Sequence, residues 1–104
     1  MSSIKSVLEE EYVRLKKLKS RYAKDISALP VGSLSIKNRN SKEYAYIAYR
    51  KNGKVKTDYI GSADSEEVYI LQEKIKNRKK LELLLKTTND QLKEIDKVLH
   101  GRKI

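Results

Sequence analysis

The chain has no cysteine, no phenylalanine and no tryptophan, and a single residue each of proline, methionine and histidine. Without cysteine there is no disulfide, no thiolate metal site and no cysteine nucleophile. The lone histidine, His100, stands where a helical pattern ends and reads as a capping or solvated residue. General-base chemistry therefore has no candidate in it. No set of His, Asp and Glu has metal-ligand spacing, and no Gly-rich loop precedes a helix in the manner of a P-loop. No run approaches about 18 consecutive apolar residues, and "MSSIKSVLEEEYVRLKK" lacks an apolar core of the signal-peptide kind. These absences predict a non-enzymatic, cytoplasmic protein with no cofactor, no metal, no small-molecule substrate and no membrane partner.

What the chain does have is positive charge and tyrosine. Its 104 residues carry 24 Lys and Arg against 14 Asp and Glu, a net charge of +10, and charged residues make up 37% of the total. Half of that net charge falls in residues 30–62, where seven cations stand against two acids. Such a field selects polyanions, and nucleic acid is the commonest polyanion of the cytoplasm. The competing reading is a solvated lysine-rich surface. Tyrosine is the only aromatic, so each large ring brings a hydroxyl that needs water or a partner. The core must come from Leu, Ile and Val. The length suits one domain.

Apolar spacing sets the expected elements. Ile4, Leu8, Leu15, Leu18, Tyr22, Ile26 and Leu29 recur at three- and four-residue steps, with Tyr12 between, which predicts a helix over 4–29. Ser2 or Ser3 caps its start, and Pro30 ends it by pushing Leu29 out of the helical region. Residues 33–61 alternate as three strands, "SLSIK", "EYAYIAYR" and "KVKTDYI". Asn52-Gly53 between the last two is the preferred type I′ hairpin turn. It sets Lys51 opposite Lys54, Arg50 opposite Val55, Ala48 opposite Thr57, Ile47 opposite Asp58 and Tyr46 opposite Tyr59. If the "NRNSK" turn is four residues long, Leu34 faces Ala45 and Ile36 faces Glu43.

Asp64 with Glu67 forms a capping-box-like start for a second helix over 65–99. Its stripe is Val68, Leu71, Ile75, Arg78, Leu81, Leu85, Thr88, Leu92, Ile95 and Leu99, and Gly101 stops it. "TTND" (87–90) favours caps over helix interiors, so the segment is either one long helix or two shorter ones. Arg78 on the stripe predicts a structural ion pair, with Glu11 or with another acid. The expected fold is α+β: a long helix, a three-stranded antiparallel meander and a second long helix, with the helices paired antiparallel. A stripe along so long a helix exceeds what the rest of the chain covers, which predicts a homodimer through the C-terminal helices.

The meander has two unlike faces. Ala45, Ile47, Tyr49 and Ile60 make an aliphatic side for the core, with Lys56 and Asp58 toward its edges. The other side carries Tyr44, Tyr46, Ala48, Arg50, Val55, Thr57 and Tyr59. Tyr and Arg are enriched where surfaces bind. Lys51 and Lys54 at one hairpin tip, and Lys37, Arg39 and Lys42 at the other turn, frame this face. The candidate nucleic-acid-binding residues are thus Lys37, Arg39, Lys42, Tyr44, Tyr46, Arg50, Lys51, Lys54, Lys56 and Tyr59, with no catalytic residue. The same ring pairs also stabilise sheets that bind nothing. Two other readings stand beside this one: a protein-binding adaptor or inhibitor of a nucleic-acid enzyme working through its helices, and a coiled-coil structural component.

The run "LPVGSLSIKNRNSKEYAYIAYRKNGKVKTDYIG" followed by "ILQEKIKNRKKLELLLK" resembles a group of small uncharacterised prokaryotic helix–meander–helix proteins. The meander also resembles the N-terminal β-modules of some transposases and tyrosine recombinases, in which a three-stranded sheet and a helix contact DNA. The likeness covers residues 29–86. Where the recombinase module has an aromatic on its first strand, this chain has Leu34 and Ile36. The resemblance implies DNA as partner and a mobile-element, viral or other prokaryotic genomic setting.

Overall fold

The computed structural model describes residues 3–101. The element order is α1 (Ile4–Ser27), β1 (Ser33–Arg39), β2 (Lys42–Lys51), β3 (Lys54–Ser62) and α2 (Glu66–His100), the expected helix–meander–helix layout. The chain divides into two compact units: one joins the segment ending at Ala28 to the segment beginning at Lys80, and the other is Leu29–Lys79.

In the first unit α1 starts on Ser3, whose hydroxyl accepts the Ser6 N–H at 3.1 Å and satisfies one orphan donor of the first turn. Ser2, the alternative cap, lies outside the described residues. The helix stops at Ser27 with Ala28 as its C-cap, slightly earlier than the expected end at 29. The stripe is borne out except at its start. Leu15 and Ile26 are buried and Leu8, Tyr12, Leu18 and Tyr22 half-buried, but Ile4 is exposed. From α2, Thr88 and Leu92 are buried and Leu81, Leu85, Ile95 and Leu99 half-buried. The two helices run antiparallel. Tyr12 meets the His100 ring edge-on at 6.4 Å, and Lys16 and Lys19 share a surface groove with Asn89 and Leu92.

"TTND" does not break α2, which continues for 35 residues, about 52 Å at 1.5 Å per residue. The Thr87 hydroxyl donates to the Leu83 carbonyl at 3.1 Å and the Thr88 hydroxyl to the Leu84 carbonyl at 2.8 Å. The local hydrogen bonding that makes threonine compete with a helix is here directed back into the helix. That is how Thr88 enters the core with its hydroxyl satisfied.

In the second unit the strands pair antiparallel in the order β1-β2-β3. The β2–β3 register is the expected one from Lys51 opposite Lys54 through Tyr46 opposite Tyr59. Asn52 and Gly53 have φ of 54° and 79°, the positive pair a type I′ turn requires. The β1–β2 turn corrects the four-residue expectation. Arg39 faces Lys42 across two residues only, Asn40 and Ser41, with φ of 52° and 66°. Leu34 then faces Ile47 and Ile36 faces Ala45. The register moves by two residues, an even step, so every side chain keeps its face. Between Ala45 and Tyr46 the β2–β3 ladder has a bulge. Ala45 pairs with Gly61 and Tyr46 with Tyr59, leaving Ile60 as the extra residue.

The core of this unit is Ala45, fully buried on central β2, with Ile47, Val68 and Ile75. Gly32 holds the entry to β1. Its φ is +132°, and a Cβ there would stand 2.5 Å from the Ala48 carbonyl oxygen. The cap of α2 is Ser65 rather than Asp64. Its hydroxyl accepts the Val68 N–H at 3.3 Å, and its carbonyl takes the Tyr69 N–H at 3.1 Å. Ser65 wins because its own N–H is turned back onto the Ser62 carbonyl at 3.0 Å, which places it at the helix threshold. Gly101, with φ of +61°, follows the last helical residue as expected.

Arg78 donates to the Leu29 carbonyl at 3.0 Å, a main-chain group next to Pro30. Glu11, one of the acids considered for it, is held by Arg14 one turn along α1, whose guanidinium keeps the Glu11 carboxyl below its ordinary pKa.

Candidate nucleic-acid interface

Pleating sends alternate residues of each strand to opposite faces. Ala45 and Ile47 are buried, which settles the aliphatic side as the inner one. Pairing then assigns the outer face row by row. β1 gives Ser33, Ser35, Lys37 and Arg39, β2 gives Lys42, Tyr44, Tyr46, Ala48 and Arg50, and β3 gives Val55, Thr57 and Tyr59. The two acids of the meander, Glu43 and Asp58, face Asn38 and Ile47, on the inner side. Among the described strand residues the outer face therefore carries four cations and no acid.

Its centre is a cluster of rings. Tyr59 lies 5.5 Å from Tyr46 and 6.1 Å from Tyr44, centroid to centroid, with planes tilted by 59° and 56°. These are favourable off-parallel contacts. The ammonium of Lys37 sits 5.0 Å from the centroid of Tyr46. The three rings are not equally available. Tyr44 and Tyr46 are half-buried, while Tyr59 is 58% exposed.

Pairing thus brings seven of the ten candidates onto one surface: Lys37, Arg39, Lys42, Tyr44, Tyr46, Arg50 and Tyr59. It does not bring the other three there. Lys51, Lys54 and Lys56 are exposed, but alternation puts them on the side of Tyr49, with Lys56 directly opposite that residue. On that side the Tyr49 hydroxyl donates to Asp58 Oδ2 at 2.9 Å, and this bond raises the Tyr49 pKa. Two features were missed from the sequence: the contact of Tyr44 with Tyr59, and the seat of Lys37 beside the rings. Both depend on register. A two-residue turn at Asn40-Ser41 sets Lys37 opposite Tyr44, and the positive φ that Asn tolerates was the available signal.

No group of three or more His, Cys, Asp and Glu able to hold a metal ion occurs among the described residues, and none of their helices is long and apolar enough to cross a membrane. Fold and surface together define a small α+β helix–meander–helix protein with a basic, tyrosine-centred sheet face. The chain belongs to the family described as Domain of unknown function (DUF6788), whose model matches residues 8–70. That span takes in most of α1, the whole meander and the first turn of α2. No curated protein and no solved structure matches the chain significantly.

Proposed function

We propose that this is a small, non-enzymatic, cytoplasmic nucleic-acid-binding protein, DNA being the favoured partner, that contacts the polyanion through the outer face of its sheet. The observation that carries the reading is a face free of acids: Lys37, Arg39, Lys42 and Arg50 surround the tyrosine cluster, while Glu43 and Asp58 point the other way, where Lys51, Lys54 and Lys56 accompany them. A merely solvated basic surface has no need to sort its acids onto one side of a sheet. The likeness of the meander to transposase and recombinase β-modules supports the same reading and suggests a mobile-element setting. The test is titration of the purified protein with duplex DNA, single-stranded DNA and RNA at several salt concentrations. Binding that weakens steeply with salt is expected. Absence of binding at low salt would refute it.

A homodimer through the C-terminal helices is a second part of the proposal, on a changed footing. The long stripe of α2 is buried or half-buried along its whole length, so it does not itself call for a partner. Leu83, Leu84 and Val98 are the large apolar α2 side chains of the first unit that remain in water, at 65%, 39% and 69% exposure. Light scattering at high protein concentration is expected to give twice the chain mass, and the chain mass after Leu83→Lys with Leu84→Lys. A single-chain mass for the unaltered protein refutes the dimer.

A further inference from the structure

We infer that the ligand of the outer sheet face is single-stranded nucleic acid, one unpaired base stacking on Tyr59, with the phosphates to either side held by the cations at the two ends of the face. This rests on the nucleic-acid reading above and narrows it. The distribution of side-chain chemistry points to it. Reading base edges in a duplex groove uses Arg, Lys, Asn and Gln, which can make paired hydrogen bonds to a base. The middle rows of this face hold none of them, and Lys37, which reaches in from one end, lies against the Tyr46 ring. Those rows hold Ser35, Tyr46, Ala48, Thr57 and Tyr59, and the cations stand at the ends, Lys37, Arg39 and Lys42 at one and Arg50 at the other. Aromatic rings inside a track of positive charge are how single strands are bound without reading their sequence.

Among the rings, Tyr59 is the one that can accept a base. It is 58% exposed, whereas Tyr44 and Tyr46 are half-buried and Lys37 already occupies the surroundings of the Tyr46 ring. Its two tilted neighbours, at 5.5 and 6.1 Å, restrict how far it can swing. A ring held in place loses little freedom when a base arrives.

The experiment compares a fluorescein-labelled oligothymidylate with a duplex of the same length, using the full chain and the variants Tyr59→Ala and Tyr59→Phe. The expected result is tighter binding of the single strand. Tyr59→Ala should weaken it by about 5- to 150-fold, the range that losing one base–aromatic stack produces. Tyr59→Phe, which keeps the ring, should stay within about twofold of the parent. Unaltered protein gives an independent readout. Because the chain has no tryptophan, its emission is tyrosine emission, and the single strand should quench it in the parent more than in Tyr59→Ala. Far-ultraviolet dichroism and melting of each variant show that the sheet is intact. Preference for duplex, or Tyr59→Ala binding like the parent, overturns the single-strand inference while leaving nucleic-acid binding standing. Binding of neither probe at low salt overturns both.

Discussion

Replacing Lys37 and Arg50 together by glutamine removes one cation from each end of the outer sheet face and none from elsewhere. Counting from the register, that face offers four cations, Lys37, Arg39, Lys42 and Arg50. If each neutralises one phosphate, log K should fall with log salt at a slope of about −2.8 for a single strand, at −0.7 per contact. Between 50 and 200 mM salt this is a loss of roughly 50-fold. The double variant keeps two contacts, so its slope should be about −1.4 and its loss over the same range roughly 7-fold. Fluorescence anisotropy at four or five salt concentrations measures both slopes. The contrasting variant is Lys51→Gln with Lys54→Gln at the hairpin tip, which carries the same change in charge. Those lysines fall on the Tyr49 side, so their loss should leave the slope nearer to −2.8. Melting curves accompany the titrations because Lys37 also sits 5.0 Å from Tyr46, an exposed contact worth about 0.5–1 kcal/mol. Equal slopes for the two double variants would mean that net charge, not the sheet face, governs binding. The reasoning from register would then be wrong.

Three further outcomes test the scaffold. Gly32→Ala forces a Cβ to within 2.5 Å of the Ala48 carbonyl oxygen at φ of +132°, so it should cost at least about 2 kcal/mol and lower Tm by roughly 8–16 °C. Gly53→Ala, with nothing within 4 Å, should cost about 1 kcal/mol, and a larger effect at Gly53 would contradict the close approach at Gly32. Leu92→Ala empties a position 6% exposed and should destabilise by about 2–5 kcal/mol in urea unfolding, against less than about 0.5 kcal/mol for Val98→Ala at 69%. In an ultraviolet titration the Tyr49 phenol should ionise late, because its bond to Asp58 raises its pKa. A pKa raised on folding makes that bond's contribution to stability full below the ordinary tyrosine value of about 10 and lost as pH rises through the folded value. Asp58→Ala should abolish that late step, and an unchanged titration would deny the bond.

The elements of this fold were legible in the sequence because each is announced by a local signal. Three- and four-residue spacing marks both helices, and every stripe position except Ile4 is at least half-buried. Asn52-Gly53 fixed one hairpin and with it the opposition of Tyr46 to Tyr59. What was misread turns on features whose signal is weaker than their rivals'. Asp64-Ser65 offers two capping residues in a row, and the choice depends on where Ser62 holds the chain. Asn40-Ser41 lacks the glycine that advertises a type I′ turn, so the shorter loop went unseen. The bond from Arg78 to the Leu29 carbonyl has no local signal either, since no local pattern names a carbonyl far away in sequence. The composition of the candidate surface was readable from alternation alone. Its arrangement was readable only in part: the side taken by the tip lysines follows from alternation and the Asn52-Gly53 turn, whereas the place of Lys37 beside the rings depends on the β1–β2 register.

The division of the chain into a continuous unit, Leu29–Lys79, and a unit assembled from the segments on either side of it has a kinetic consequence. The meander closes through two tight turns, each joining neighbours in sequence, so its contacts can form within microseconds of the strands becoming available. The antiparallel helices make the opposite demand, because Tyr12 meets His100 only after nearly the whole chain has been brought back on itself. On a ribosome α1 emerges first and waits longest for its partner, its Leu15 and Ile26 in water until the second half of α2 is made. The sheet can thus form before the two helices have found each other.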